Sequence, residues 1–167
     1  MADIPTLLTE RLLLRPPNHS DFDEYAALLI SPRAMYMGGP LDRRVSWGMF
    51  CSDIAMWHLY GHGALMIELR ESGRCIGQVG INHGPFYSEK ELGWLLYEGQ
   101  EGRGCATEAA ACLRDWAFAE LELGTLVSYI DPLNAASIRV AERLGGIHDE
   151  NAVPQDPGDV VYRYNPA

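Results

Sequence analysis

Residues 101–109 read EGRGCATEA, and this stretch decides the fold. A run typical of a strand, Glu91–Tyr97, comes before it. A helical apolar pattern from about Cys105 to Leu121 follows, and then a continuous apolar strand, Thr125–Ile130. Because consecutive parallel strands need a crossover between them, usually a helix, this order predicts a βαβ unit. Its two strands should be parallel, with the helix on one face of the sheet.

The elements on either side of this unit complete an α+β fold. They are a strand at Leu12–Leu14, a helix from Ser20, a loop marked by Pro32 and Gly38–Pro40, a helical region at 42–60, a hairpin of Ala64–Leu69 with Cys75–Ile81, a helix at Ala135–Leu144, and strands at Ile147 and Val160–Tyr164. Gly48 leaves open two shorter helices in the 42–60 region, and Gly93 indicates a bulge or a close backbone approach. We expect a single domain over residues 1–167. Its mixed, mainly antiparallel twisted sheet has a central parallel strand pair and helices on both faces.

Charge and cysteine usage narrow the function classes. The chain of 167 residues has 23 acidic and 13 basic side chains, a net charge of -10. An acidic surface repels phosphate backbones and attracts cations, which argues against a nucleic-acid partner. The four cysteines have no C-x-x-C or zinc-finger spacing, which predicts reduced thiols and no metal site. Since the sequence has no secretory signal pattern and no apolar run of about 18 residues, we expect a cytoplasmic protein without a membrane partner.

The glycine-rich turn has the chemistry of a phosphate site. Gly102 and Gly104 allow the backbone to approach a ligand, and the helix that follows offers free N–H groups at its positive end. Arg103 would add a cation, and Thr107 could donate its hydroxyl. The alternative is a turn in which glycine serves geometry alone. No Gly-Lys-Ser/Thr follows, which excludes a P-loop, and the spacing fails the dinucleotide fingerprint.

Three separated motifs resemble one family. Gly102–Ala109 looks like the acyl-CoA pyrophosphate loop of the GNAT N-acetyltransferases. Thr9–Arg15 is similar to the opening of the ribosomal-protein N-acetyltransferase branch, and Asn134–Ser137 with Glu142–Gly145 resembles a later segment of that branch. The resemblance implies the GNAT fold and the transfer of acetyl from acetyl-CoA to a primary amine by direct attack. The amine would be a protein N-terminus or a small molecule.

The resemblance also implies a set of residues that bind the co-substrate. It places the pyrophosphate on Gly102, Arg103, Gly104, Cys105, Ala106 and Thr107, the pantetheine amides along the backbone of Leu95, Leu96 and Tyr97, and a further contact at Asn134. An N–H of the 95–97 segment is the candidate oxyanion donor. The side chains of that segment could instead belong to the core, and Asn134 is also a good helix N-cap. Glu101 departs from the family's pattern, and we expect its carboxylate to face solvent.

The catalytic candidates are less distinctive. Glu91 begins the strand beside the implied co-substrate site and is the candidate general base, with Glu89 as the fallback; a solvated strand-end glutamate is the alternative. The family often has a tyrosine general acid where this chain has Ala141. Ser137 is therefore the candidate hydroxyl for the leaving sulfur, although a helical serine is commonly structural. His58 and His83 are the remaining titratable candidates.

Two alternative functions stay open from the sequence alone. The first is a noncatalytic acyl-CoA-binding regulatory domain on the same fold, which the alanine at position 141 favours. The second is a phosphate-binding module for another nucleotide. Aromatic residues of the 42–60 region border the amine pocket in the family, namely Trp47, Phe50, Trp57 and Tyr60, and one or two could shape specificity. Exposed edge strands make a homodimer plausible.

Overall fold

An eight-stranded mixed sheet forms the centre of the computed structural model, which describes residues 4–167. Its strands are β1 (Leu7–Leu8), β2 (Leu12–Arg15), β3 (Ala64–Leu69), β4 (Cys75–Asn82), β5 (Glu91–Leu96), β6 (Leu126–Ile130), β7 (Ile147–His148) and β8 (Val160–Tyr164). The helices are α1 (Phe22–Ile30), α2 (Arg43–Tyr60), α3 (Cys105–Glu120) and α4 (Ala135–Arg143), with 3-10 helices at His19–Asp21 and Pro32–Met37. The strand order is β1-β2-β3-β4-β5-β6-β8-β7.

The predicted βαβ unit is confirmed: β5 and β6 are parallel, and α3 connects them. The other neighbouring strands are antiparallel. The parallel ladder is short, with the single register pair Glu91–Val127 and a hydrogen bond of 3.1 Å from the Val127 N–H to the Lys90 carbonyl. After this point the two strands diverge, which leaves an opening in the middle of the sheet.

Helices cover both faces of the sheet, as expected for this fold class. On one face α3 and α4 pack their apolar side chains, such as Leu113 and Ala141, into the larger hydrophobic cluster. On the other face α1 and α2 form a smaller cluster around Tyr25 and Phe50. Strand β3 shows the alternation that separates the two clusters, because Leu65 and Ile67 belong to the larger one and Met66 belongs to the smaller one. None of the helices in the described range 4–167 is long and apolar enough to cross a membrane.

The order of the predicted elements is confirmed, with the short strand β1 added, and the structure decides the local alternatives. The helix over residues 43–60 is unbroken, because Gly48 lies on its exposed side, where an added Cβ would meet nothing within 4 Å. No bulge occurs at Gly93, which pairs in register with Gly80. The irregularity lies instead between β3 and β4, beside Gly77. A 3-10 helix replaces the expected loop at residues 32–37, started by the Ser31 side chain, which accepts from the Arg33 N–H.

Gly77 and Gly48 give a matched pair of substitutions. A Cβ at Gly77 would lie 2.2 Å from the Leu95 carbonyl oxygen, so Gly77→Ala must push β4 away from β5. We expect it to lower the free energy of unfolding by about 2 kcal/mol or more. Gly48→Ala should raise that free energy by about 1 kcal/mol, since alanine favours an exposed helix interior. Urea unfolding measures both changes, and a neutral Gly77→Ala would contradict the close approach.

Candidate active site

The divergence of β5 and β6 opens a cleft of about 520 Å³. Trp94 and Leu95 line it from β5, and residues 128–130 line it from β6, followed by Asp131 just after that strand. The 3-10 segment contributes residues 35–37 from above. The inner end of the cleft, beside the start of β5, is formed by Asp53, Gln78, Asn82 and Glu91. The loops before β5 and before β8 complete the wall with Tyr87, Gln155, Asp156, Pro157 and Asp159.

Along the cleft the backbone of β5 has no neighbouring strand beyond its single register pair with β6. Successive residues of a strand direct their N–H and C=O groups to opposite sides. The Leu92 carbonyl accepts from the Ser128 hydroxyl at 2.5 Å, so Leu92 faces β6. By the same alternation Trp94 and Leu96 face away from β4, on the side where β6 has already diverged and the part of β6 within residues 4–167 offers them no register partner. The Leu96 carbonyl accepts from Arg33 Nη2 at 3.3 Å, so Trp94 is the residue whose backbone faces the cleft without a partner.

This alternation corrects the predicted segment of Leu95, Leu96 and Tyr97. The Tyr97 N–H donates to the Ile76 carbonyl at 2.8 Å, so the backbone of Tyr97, and of Leu95 two residues earlier, faces β4. Of the three predicted residues, Leu96 alone directs its backbone groups away from β4. Trp94, which the sequence analysis missed, provides the cleft-facing groups. The register of β5 on β4 determines which residues of β5 face the cleft. The sequence of β5 alone does not specify that register.

The glycine-rich turn leads from the end of β5 into an uncapped helix N-terminus. Gly102 and Gly104 have φ of +78° and +77°, a conformation that favours glycine. Gly104 is the N-cap of α3 and has no side chain to cap it. The hydroxyl of Thr107 in the first turn is buried without a hydrogen-bond partner. These donors suit an anionic group such as a diphosphate.

The side chains of the turn fall into two groups. Those of Cys105 and Ala106 are buried, so these two predicted residues present only backbone N–H groups to a ligand. Arg103 is exposed and hydrogen-bonds to the Gln100 side chain. Glu101 faces solvent, as expected, and forms an ion pair with Arg33.

Glu108 fixes this turn to the β1–β2 connection. One of its carboxylate oxygens accepts from the Thr9 hydroxyl at 2.6 Å and from the Arg11 N–H at 3.0 Å, and the other accepts from Arg11 Nε at 2.7 Å. Burial alone would raise the pKa of Glu108, but these hydrogen bonds hold it below its usual value. Arg11 Nη1 also donates to the Arg103 carbonyl at 2.9 Å, so a cation is held beside the glycines.

Two carboxylates lie at the inner end of the cleft. Glu91 accepts from Asn82 Nδ2 at 2.9 Å, and burial raises its pKa above the usual value. Asp53 accepts from the Tyr25 hydroxyl at 3.2 Å and hydrogen-bonds to Gln78. Burial raises the pKa of Asp53 to about 7. A carboxyl group with such a pKa can exchange protons near neutral pH.

Asp53 was missed by the sequence analysis, although a signal exists. The buried stripe of α2 contains Ser46, Phe50 and Trp57, and Asp53 lies on that same side of the helix. A carboxylate in an apolar stripe costs free energy unless it is paired or has a function. The predicted aromatic border of the cleft is also different, because none of Trp47, Phe50, Trp57 and Tyr60 lines it.

Comparison with known proteins agrees with this architecture. Residues 11–147 match the model of the acetyltransferase (GNAT) domain family. The chain belongs to the GNAT acetyltransferase family. It is 32% identical over 148 residues to the uncharacterized protein YkkB of Bacillus subtilis, covering 83% of each chain.

Solved GNAT structures extend the comparison. A crystal structure of an acetyltransferase from Agrobacterium tumefaciens is 60% identical, with a TM-score of 0.96, covering 98% of this chain and 96% of its own. RimL, a ribosomal L7/L12 alpha-N-protein acetyltransferase solved in complex with coenzyme A, has a TM-score of 0.75 at 18% identity, covering 96% and 98%. At that identity the likeness shows the shared fold.

The α4 residues of this GNAT domain divide between the cleft and the core. Asn134 and Ser137 line the cleft, and the Asn134 Oδ1 accepts from the Ser137 N–H at 3.2 Å as the cap of α4. Ala141 is 0% exposed and belongs to the larger hydrophobic cluster. Ala141 therefore belongs to the core and presents no hydroxyl to the cleft.

The remaining titratable candidates lie outside the cleft. Glu89, the fallback base, forms two hydrogen bonds with Arg163 at 2.6 and 2.8 Å, which lower its pKa. His83 packs against Tyr60 and His62 and is not among the lining residues. Within residues 4–167 no group of three or more His, Cys, Asp or Glu side chains could hold a metal ion.

The raised pKa of Asp53 predicts a stability effect of Asp53→Asn. In the folded protein Asp53 keeps its proton up to about pH 7, whereas the unfolded chain releases it near pH 4, so stability falls as pH rises between these values. Asparagine still accepts from the Tyr25 hydroxyl but carries no charge. We expect Asp53→Asn to raise the free energy of unfolding by about 1–3 kcal/mol above pH 8 and to change it little near pH 4.

Denaturant unfolding at the two pH values measures this difference. Glu150→Gln is the control, because Glu150 is an exposed acid outside the cleft and its replacement should change stability by less than about 0.5 kcal/mol. If Asp53→Asn lowered the free energy of unfolding equally at both pH values, the charged Asp53 carboxylate would not destabilise the folded protein.

Proposed function

We propose that this GNAT protein transfers the acetyl group of acetyl-CoA to a primary amine by direct attack within the cleft. The observation that carries the proposal is the backbone of Trp94, which faces the cleft without a strand partner, together with the uncapped N-terminus of α3. A ligand with amide groups and a diphosphate at the appropriate separation suits this pair of features. The complex of RimL with coenzyme A, a protein of the same fold, supports the choice.

The co-substrate uses donors and acceptors that the protein leaves free. The pantetheine amides would add to β5 as a further strand, hydrogen-bonding to Trp94 where β6 is absent. The diphosphate would accept from the backbone N–H groups of residues 104–107 and from the Thr107 hydroxyl. Arg11 and Arg103 provide positive charge beside that position.

Glu91 is the proposed general base. The attacking nitrogen must lose a proton, and the Glu91 carboxylate, with its raised pKa, accepts that proton directly or through water. A C–N bond then forms at the thioester carbon, and negative charge collects on its oxygen. The cleft-facing N–H of Trp94 is the proposed donor to that oxygen. Asn82 and the Tyr129 N–H hold the carboxylate in place.

The leaving group departs on the α4 side of the cleft. When the C–S bond breaks, the sulfur carries the electron pair and needs a proton or a hydrogen bond. Ser137 lines the cleft at the first turn of α4, and we assign its hydroxyl to orient or protonate that sulfur. A serine hydroxyl is a weak acid, so its contribution is a hydrogen bond to the thiolate followed by proton uptake from solvent.

The thiols of the protein support a proposal for its cellular setting. The four cysteines are free, which suits a reducing compartment, and we assign the protein to the cytoplasm. The two edge strands of the sheet, β1 and β7, have two residues each. A homodimer through such an edge stays a prediction.

Glu91→Gln tests the base. It keeps the shape and the hydrogen bond from Asn82 but cannot take up the proton. We expect kcat to fall about 100-fold with little change in the Kd of acetyl-CoA. In the parent protein log(kcat/KM) should rise with pH through the raised pKa of Glu91, and the variant should lose that inflection. Initial rates of thiol release measure both quantities.

Substitution of Glu89, the fallback base, provides the control for this test. Glu89→Gln loosens the contact with Arg163 and should lower stability, but the pH inflection should stay because Glu89 lies outside the cleft. If Glu91→Gln kept wild-type activity, another group would be the base that removes the proton from the attacking amine. Tight binding of coenzyme A without turnover of any amine in the parent protein would support the noncatalytic alternative.

Gly104→Val tests the diphosphate site. The substitution places a branched side chain at the mouth of α3, and we expect the Kd of acetyl-CoA to rise at least about tenfold by calorimetry. Gly99→Val is the matched control, since Gly99 has nearly the same φ of +79° and open space around it. Both variants carry the same backbone strain. If both weaken binding equally, the effect is strain in the turn and the helix N-terminus is not the site.

A further inference from the structure

The carboxylates of the cleft have no cationic partners. Its lining includes the acidic residues Asp53, Glu91, Asp131, Asp156 and Asp159, and within the described residues 4–167 it includes no lysine, arginine or histidine. The ion pairs found among the described residues are formed by a different set of acids, namely Asp21, Asp23, Glu68, Glu89, Glu101, Glu108, Asp115 and Asp149. The cleft thus concentrates acidic groups for which its lining provides no cation.

These carboxylates influence one another from the inner end to the rim. Burial and then the charge of Glu91 raise the pKa of Asp53. Burial and then the charges of Asp159 and Asp156 act in the same direction on Glu91. Asp156 is exposed, and its N–H donates to the Asp159 carboxylate at 3.2 Å, so this pair forms the rim. Glu91 lies between two regions of negative charge.

A substrate with only one amino group cannot balance the charge of the carboxylates throughout the reaction. The nitrogen that attacks must be neutral, so at that moment it no longer balances any carboxylate. A second positive charge that stays on the substrate would still do so. Opposite charges at a partly desolvated site attract more strongly than in bulk water.

We propose that the amine substrate carries a second ammonium group, as an aliphatic diamine or polyamine does, and that Asp156 and Asp159 bind this group while the reacting nitrogen lies at Glu91. This inference rests on the proposed acetyl transfer and names the substrate class of the same cleft. Asp156 and Asp159 are then specificity-determining residues. Acceptors with a carboxylate near the amine are disfavoured, because the lining offers that carboxylate no cation.

The walls of this half of the cleft suit a narrow, flexible substrate. Gln155 Nε2 donates to the Phe86 carbonyl at 2.7 Å, which joins the loop before β5 to the loop before β8. An open groove for an extended peptide would need these loops apart. Tyr87 and Tyr129 line the space between Glu91 and the rim, where aromatic rings can pack against methylene groups and attract a cation.

A series of five-carbon amines isolates the second charge. The series comprises the diamine cadaverine, the amino alcohol in which a hydroxyl replaces one ammonium, and the amino acid in which a carboxylate replaces it. We expect kcat/KM for the diamine to exceed that for the amino alcohol by at least about tenfold, with the amino acid lowest. The ratio of diamine to amino alcohol should decrease as salt is added, because the rim is exposed.

The variant Asp156→Asn/Asp159→Asn assigns the selectivity to the rim. Asparagine keeps the acceptor for the Asp156 N–H, so the loop can retain its conformation. The diamine to amino alcohol ratio should fall toward one, mainly through KM for the diamine. Glu150→Gln removes one charge from the same region outside the cleft and should keep the parental ratio. Circular dichroism and coenzyme A binding verify that each variant is folded.

The outcomes separate the two proposals. Equal kcat/KM for diamine and amino alcohol, or a preference for peptide amino termini without basic side chains, overturns the second-ammonium inference and leaves acetyl transfer intact. A parental ratio in the double variant also overturns the assignment to Asp156 and Asp159. Coenzyme A binding with no turnover of any amine overturns the proposed function, and the inference falls with it.

Discussion

The hydrogen bonds at the point where β5 and β6 part are the constraint on which the site depends. The Tyr164 hydroxyl donates to the Ser128 hydroxyl at 3.0 Å, and Ser128 donates to the Leu92 carbonyl at 2.5 Å. All three residues are buried. A side chain thus satisfies the last β5 carbonyl that faces β6, at a depth where an unpaired carbonyl would cost free energy. Beyond it the strands can diverge with their remaining groups open to the cleft.

The same divergence explains why one cleft serves both halves of the proposed reaction. Strand β5 offers unpaired backbone beyond Leu92 and a buried carboxylate before it, at Glu91. In the proposed reaction one strand would therefore place both the thioester and the base, and their separation would be set by about 3.3 Å for each residue of extended chain. The glycine-rich turn continues from that strand, and Glu108 holds it against Thr9 and Arg11.

The sequence predicts the order of elements well because hydrophobic periodicity is a local property. The parallel pair, α3 and its glycine-rich turn follow from residues 91–130 alone. Features that depend on a neighbour could not be predicted in that way. Whether Trp94 or Leu95 faces the cleft depends on the hydrogen bond from Tyr97 to Ile76, which belongs to the register with β4.

Other site features depend on tertiary contacts in the same manner. Asp53 enters the cleft because α2 packs over the sheet with that side inward, next to Tyr25 and Gln78. The rim aspartates lie in a loop between strands, where no periodicity exists to predict a direction. Ala141 is the opposite case. Its position in the family motif indicated that a catalytic group is missing, but the structure packs Ala141 in the core.

The distribution of arginines explains how the cleft keeps its negative charge without losing its shape. Arg163 on β8 forms ion pairs with two acids. One is Glu89, just before β5, and the other is Asp149, which precedes the loop that carries the rim and lies 2.7 Å from Nε of Arg163. One cation thereby fixes both walls from outside the cleft. Glu91 and Asp159 lie close to these anchors but are not neutralised by them. Had an arginine lined the cleft instead, it would have stabilised the fold and occupied the place of a cationic substrate. The cleft carboxylates repel one another, and the second ammonium group of the proposed substrate would relieve that repulsion.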